Sequence, residues 1–168
     1  MPISRRSVLL AGAASGLLAA CGGGDEHAPP NIVATAQATP NLSILVEAVV
    51  AAGLVDALSA PGPLTVFAPT NDAFASLLSE LGVTKEALLA NKTLLTTVLT
   101  YHVVSGRVLK DQVPVNTPIA TLQGATFTVG ADLRITDGRG RSAGIAATDI
   151  LCSNGVVHVI DKVILPPA

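Results

Sequence analysis

The hydrophobic period of this chain changes once, near Tyr101, and that change restricts the folds open to it. Before Tyr101 apolar residues recur at helical spacing; after it they alternate or run together as strands do. In "NLSILVEAVVAAGLVDAL" residues Leu42, Leu45, Val46, Val49 and Val50 share one helical face, with Asn41 placed as N-cap and Gly53 as stop. Prolines in "PGPLTVFAP" delimit a short buried strand at Leu64 to Phe67. Thr70 or Asn71 then caps a helix carrying Phe74, Leu77, Leu78 and Leu81, ended by Gly82. Thr84 opens a further short helix, and Thr93 a third with Leu94, Leu95, Val98 and Leu99. Beyond the change, "YHVVSGRVL", "ATFTVG", "LRIT", "AGIAATDIL" and "VVHVIDKVIL" read as strands, with turns at Ser105-Gly106 and Asp137-Gly138. The order predicts a single α+β domain, helices packed against and around an antiparallel sheet system, with no internal repeat.

The amino-terminal residues belong to a different kind of segment. "MPISRRSVLLAGAASGLLAAC" has a basic start at Arg5 and Arg6 and a short apolar stretch broken by glycine. That stretch is an export signal and is too short for a permanent span, which needs about 20 apolar residues. Paired arginines in "SRRSVLL" resemble a twin-arginine signal, although Val8 stands where Phe is usual, so ordinary secretion and the twin-arginine route both stay open. Leu18-Ala19-Ala20-Cys21 resembles a bacterial lipobox. The resemblance implies cleavage after residue 20, acylation of Cys21 and attachment to the cell envelope, in the outer membrane where the host has two, since Gly22 and not Asp follows. Several acyl chains at one residue give stable anchoring. "GGGDEHAPPNIVATAQATP", residues 22 to 40, lacks periodicity and reads as a flexible tether in which His27 is a solvated residue. The expected organisation is therefore a signal at 1–20, acylated Cys21 and tether at 21–40, and one domain at 41–168.

Several chemistries lack their residues. The sequence has no metalloprotease helix motif, no paired Cys-x-x-Cys, no phosphate-cradling glycine loop and no nucleophile elbow. With Cys21 acylated, Cys152 has no intrachain partner and reads as a small buried hydrophobe. The net charge of −2 and the lack of a basic stripe argue against nucleic acid. His102 and His158 both sit in valine-rich runs and read as hydrogen-bonded core residues. The competing readings are a two-His metal site completed by Asp149 or Asp161, and a Cys152–His158 nucleophile pair. Asp72 suits the start of a helix, and Asp149 suits a backbone bond at a strand edge. Arg134, Arg139 and Arg141 surround a glycine-rich turn, either solvated or docking an anionic surface. With no Trp, one Tyr and three Phe, the chain is poorly equipped for sugar stacking.

Three separated stretches carry a resemblance. "LTVFAPTNDAF", "LTYHVVSGRV" and "SNGVVHVIDKVILP" resemble the first conserved box, the Tyr-His motif and the second conserved box of the fasciclin-like domain family, in order. The resemblance covers 41–168 and implies a β-wedge or sandwich flanked by several short α-helices, in secreted or membrane-anchored proteins that mediate adhesion without catalysis or cofactor. It places Asp149 and Ile150, together with Tyr101 and His102, at positions linked to receptor contact in animal members. Thr148 departs from the basic-flanked form of that motif, so integrin recognition does not transfer. Thr70, Asn71, Phe74, His158 and Asp161 are motif residues expected to specify the fold. In the closing strand Val157, Val159 and Val163 are expected on one face, and Val156, His158, Ile160 and Ile164 on the other. His158 is expected to meet backbone or a polar core group such as Asn71 or Tyr101. The functional expectation is a lipid-anchored envelope adhesin with a protein or polysaccharide surface partner. The alternative is an envelope module for a small apolar or lipid ligand.

Overall fold

A computed structural model describes residues 29–168; the expected export signal, Cys21, His27 and the first part of the expected tether lie outside the described residues. Among these residues the helices are α1 (Ile32–Gln37), α2 (Ser43–Ala52), α3 (Val55–Ser59), α4 (Asn71–Leu81), α5 (Lys85–Ala90) and α6 (Lys92–Tyr101). The strands are β1 (Leu64–Pro69), β2 (Val103–Ser105), β3 (Pro118–Ala120), β4 (Thr126–Val129), β5 (Arg134–Thr136), β6 (Ser142–Cys152) and β7 (Gly155–Ile160). They form one sheet in the order β2-β1-β7-β6-β5-β4-β3.

That sheet is mixed, a correction to the expected antiparallel system. β1 and β7 run parallel, from Leu64 opposite Gly155 to Pro69 opposite Ile160, and the other pairings are antiparallel. Every residue of β7 is buried, as are the last five of β1. Central strands covered on both faces read as continuous apolar runs, and such runs do not encode direction. Gly155 is required at the start of this pairing, because a side chain there would run into the Leu64 carbonyl.

The two faces of the sheet feed two cores. Val66, Ala68, Val103, Val157, Val159 and Val163 pack against the helices through Leu45, Phe74, Leu77, Leu95 and Leu99. Phe67, Val104, Phe127, Val129, Ile135 and Ile160 fill the inside of the curled sheet. There Phe127 lies edge-on to Phe67 at 5.1 Å and to Tyr101 at 6.0 Å, the geometry that aromatic quadrupoles favour. The sheet curls far enough for Leu122 N–H, beyond β3, to donate to the Val103 carbonyl of β2 at 2.9 Å. The closing strand divides its valines and isoleucines between the two cores as its alternation requires.

Local signals bound three of the six described helices as the sequence indicated. Thr70 and Thr84 cap α4 and α5 through Ala73 N–H and Ala87 N–H, and Gly53 and Gly82 end α2 and α4 in the left-handed conformation. Three expectations are corrected. Asn91 and not Thr93 caps α6, accepting from Leu94 N–H at 3.1 Å. The α6 helix runs through Tyr101, so His102 is its C-terminal cap and not a strand residue. Asn41 caps nothing: it lies in a 3-10 turn, Pro40–Leu42, and Leu42 occupies the cap position of α2 without a side-chain bond. The α2 cap comes from Asn71, the first residue of α4. Its Oδ1 accepts from Ile44 N–H at 3.0 Å while its Nδ2 donates to the Pro40 carbonyl at 3.2 Å. Asn71→Ala should therefore destabilise by about 1–2 kcal/mol, the upper part of the range for a lost helix cap. Urea denaturation checks this, and an unchanged midpoint would remove the inter-helix cap.

The tether also ends earlier than expected. Asn31 caps α1 by accepting from Ala34 N–H at 2.8 Å, and Ile32, Val33 and Ala36 are buried. Asn154, in the turn between β6 and β7, fastens this helix: its Oδ1 accepts from Ile32 N–H at 3.0 Å, and its Nδ2 donates to Leu58 O at 2.7 Å and Ala60 O at 3.1 Å. Six residues are too few for a helix to hold in isolation. Docking supplies what the local sequence does not show, so residues 31–40 belong to the domain.

Candidate interaction site

The Tyr-His pair at the end of α6 points inward. Tyr101 is fully buried, its hydroxyl donating to Thr126 O at 2.9 Å and accepting from Gly138 N–H at 2.9 Å. Burial pushes its phenol pKa up. His102 is 1% exposed. Its Nδ1 lies 2.7 Å from Val98 O, and its Nε2 accepts from Ile164 N–H at 3.1 Å. Those partners fix the neutral tautomer: the proton sits on Nδ1 and donates to the carbonyl, while Nε2 must be bare. Burial lowers the His102 pKa to about 4, partly opposed by the Val98 bond and the Asp137 carboxylate. The implied contact role of Tyr101 and His102 thus meets two side chains that lie inside the domain. Both side chains are spent on pinning α6 to the sheet and the carboxy-terminal segment; Tyr101 is enclosed, and His102, though 1% exposed, lines the apolar groove described below.

Asp149 and Ile150 lie on an irregular part of β6, where the register to β7 shifts between Ile145 and Ala147 and again between Ala147 and Ile150. Such bulges re-aim side chains at a strand edge. Asp149 has a φ of 56°, uncommon for a residue with a side chain. Its Oδ1 accepts from Lys110 N–H at 2.8 Å and its own N–H donates to His158 Nδ1 at 3.3 Å. His158 in turn donates from Nε2 to Val108 O at 2.9 Å. Thr65 completes the link, donating to Gly106 O at 2.7 Å and accepting from Val108 N–H at 2.9 Å. The bulge, β7, β1 and the loop at 106–110 are thereby tied together, with Asp149 and Ile150 half-buried and Leu151 exposed. His158 thus meets backbone, as expected, but neither Asn71 nor Tyr101. Thr65 had no signal beyond its place in an apolar strand.

The remaining candidates are structural. Phe74 is buried against the helical core, and Asp161 accepts from Gly144 N–H at 2.7 Å across the β6–β7 edge. Cys152 is buried beside the Thr35 hydroxyl, its Sγ 3.2 Å away, and burial raises the thiol pKa. This disfavours the thiolate that a nucleophile requires. The arginine cluster is divided among different partners. Arg141 pairs with Glu80 at 2.6 Å, Arg139 donates to Pro166 O at 3.0 Å, and Arg134 lies 3.7 Å from Asp132. At the centre of that turn is Asp137, which the sequence marked only as a hairpin residue. It is 5% exposed, and its carboxylate accepts from Arg139 N–H, Arg141 N–H and Leu165 N–H at 2.9, 2.8 and 3.0 Å. Among the described residues no group of His, Cys, Asp and Glu is placed to hold a metal ion.

An apolar groove lies between α1, α2, α3 and the β2 side of the sheet, with Val50 and Leu122 on its rim, 58% and 51% exposed. Its cavity is about 50 Å³, and no charged side chain lines it. Among the described residues no helix is long and apolar enough to cross a membrane.

The comparisons with known proteins agree with this architecture. The pattern of the fasciclin domain matches residues 40–166. Protein sll1483 of Synechocystis sp. (strain ATCC 27184 / PCC 6803 / Kazusa) is 48% identical over 139 residues, covering 81% of this chain and 73% of that protein. The cell surface glycolipoprotein MPB83 of Mycobacterium bovis (strain BCG / Tokyo 172 / ATCC 35737 / TMC 1019) is 39% identical over 118 residues, 68% of this chain and 49% of that protein. Among solved structures, a FAS1 domain pair from the insect cell adhesion molecule fasciclin I matches with a TM-score of 0.58 at 24% identity, over 74% of this chain and 45% of that one. That last likeness shows the fold: helices around a curled sheet. On the span of the domain pattern and the identity to sll1483, this chain belongs to the fasciclin domain family.

Proposed function

We propose that this chain is a lipid-anchored envelope protein that presents one fasciclin domain as a non-catalytic adhesion module. The observation that carries the anchor is Leu18-Ala19-Ala20-Cys21 ahead of the domain, in a chain similar to a cell surface glycolipoprotein. Adhesion is the role that the family resemblance brings. The side chains support a non-catalytic reading: both described histidines are occupied by backbone partners and the thiol is buried. A general acid or base must reach a substrate proton, and a bulge-borne surface such as Asp149 and Ile150 suits contact better than turnover.

The test is a host strain lacking the chain, complemented with the wild type or with Cys21→Ala. Wild type should restore attachment of cells to one another or to a surface and should fractionate with membranes. Cys21→Ala should leave the acylated membrane pool and fail to restore attachment. Unchanged fractionation of Cys21→Ala would remove the anchor, and unchanged attachment of the deletion strain would remove the adhesion role.

A further inference from the structure

We infer that the apolar groove face, rimmed by Val50 and Leu122, rests on the lipid bilayer that holds the chain. The inference rests on the anchor proposed above and says which way the domain faces. Three observations point to a hydrocarbon surface as the occupant.

The first is where the chain enters. Cys21 and Pro29 are eight residues apart, so their Cα atoms can separate by at most roughly 29 Å. A folded unit of this length is roughly 35–40 Å across. The start of α1 therefore cannot be the distal end of an anchored domain. Ile32, three residues beyond Pro29, lines the groove with Val33 and Ala36 of the same helix, so the tether is short enough to exclude the groove from the far end and leaves it free to meet the membrane.

The second is chemistry. A groove without a charged lining residue and with two large aliphatic side chains more than half exposed suits neutral, non-directional contact, in which apolar area leaves water. The third is size. A cavity of about 50 Å³ has room for a few carbons and not for a whole acyl chain. That size favours contact of the rim with the surface of many lipids over enclosure of one.

The experiment uses the lipidated full-length chain in phosphatidylcholine vesicles, with single cysteines carrying a bimane fluorophore at Val50→Cys, Leu122→Cys or Ala131→Cys. Ala131 is exposed, in the turn beyond the far end of β4 from Leu122. Buried Cys152 should stay unlabelled, which the wild-type chain checks. Vesicles containing doxyl-labelled phosphatidylcholine should quench the probes at Val50 and Leu122 several-fold more than the probe at Ala131, and the difference should persist in high salt. Equal quenching at the three sites, or quenching at one rim position without the other, would overturn the inference while the chain still floats with the vesicles. A chain that carries no lipid at Cys21 by mass spectrometry and does not float would overturn the anchor, and this orientation with it.

Discussion

Replacing His102 by Ala is expected to destabilise the domain by roughly 3–5 kcal/mol, since each buried polar group left unpaired costs about 1–3 kcal/mol and the lost ring leaves a cavity. The groups orphaned are the Val98 carbonyl and the Ile164 N–H. Equilibrium denaturation in urea measures the loss, and a change near zero would mean that the imidazole does not bridge α6 to the carboxy-terminal segment. The same residue predicts a pH dependence. Its folded pKa of about 4 lies below the ordinary value of about 6.5 for an unfolded chain. The unfolded chain therefore binds the extra proton first as pH falls. The stabilisation is complete above about pH 6.5 and is lost between there and about pH 4, amounting to about 3 kcal/mol. His102→Gln should be less stable at neutral pH and should lack this component of the slope. A wild-type profile as flat as that of His102→Gln would sink the assignment.

Asp137→Ala should cost a comparable roughly 3–5 kcal/mol, because hydrogen bonds to a charged group contribute about 1.5–3 kcal/mol each and part of this turn can resolvate. The carboxylate gathers three backbone N–H groups, two from its own turn and one from Leu165. Asp137→Asn is informative, since an amide offers one acceptor oxygen. Either the turn or Leu165 then faces an NH2 donor in place of an acceptor. Asn should therefore recover only part of the loss, whereas a carboxylate acting by charge alone would make Asn and Ala equivalent. Denaturation midpoints of the three proteins separate these outcomes.

Much of the local structure was legible because it is encoded over a few residues. A threonine three residues ahead of the N–H it accepts, as Thr70 and Thr84 are, needs nothing from the rest of the chain to act as a cap. Gly53 and Gly82 end helices because each takes the left-handed conformation where it stands. The motif residues for the family were legible for a related reason: ordered, separated stretches survive without any knowledge of their contacts. Misreadings fell where a partner is remote. Asn71 looked like a cap for its own helix and serves α2, 27 residues back. His102 looked like a strand residue because "YHVV" is apolar throughout, yet hydrogen bonding carries α6 through Tyr101. Residues 31–40 looked like tether because α1 has too few turns to show a period, and it is held by Asn154 from 122 residues away.

The candidate site divides the same way. Asp149 at a strand edge, bonding backbone, could be read from its neighbours; its partners Lys110 and His158 could not. The sequence by itself determined the helix-then-strand order, the caps that act within one turn, the alternation that splits β7 between two cores, and the family. The tertiary structure alone decided that β1 and β7 run parallel, that Tyr101 and His102 face inward, and that Asp137 gathers three amides. Local periodicity and capping depend on neighbours a few residues apart, which a sequence displays. Strand direction and buried hydrogen bonds depend on groups that only the closed sheet brings within bonding distance.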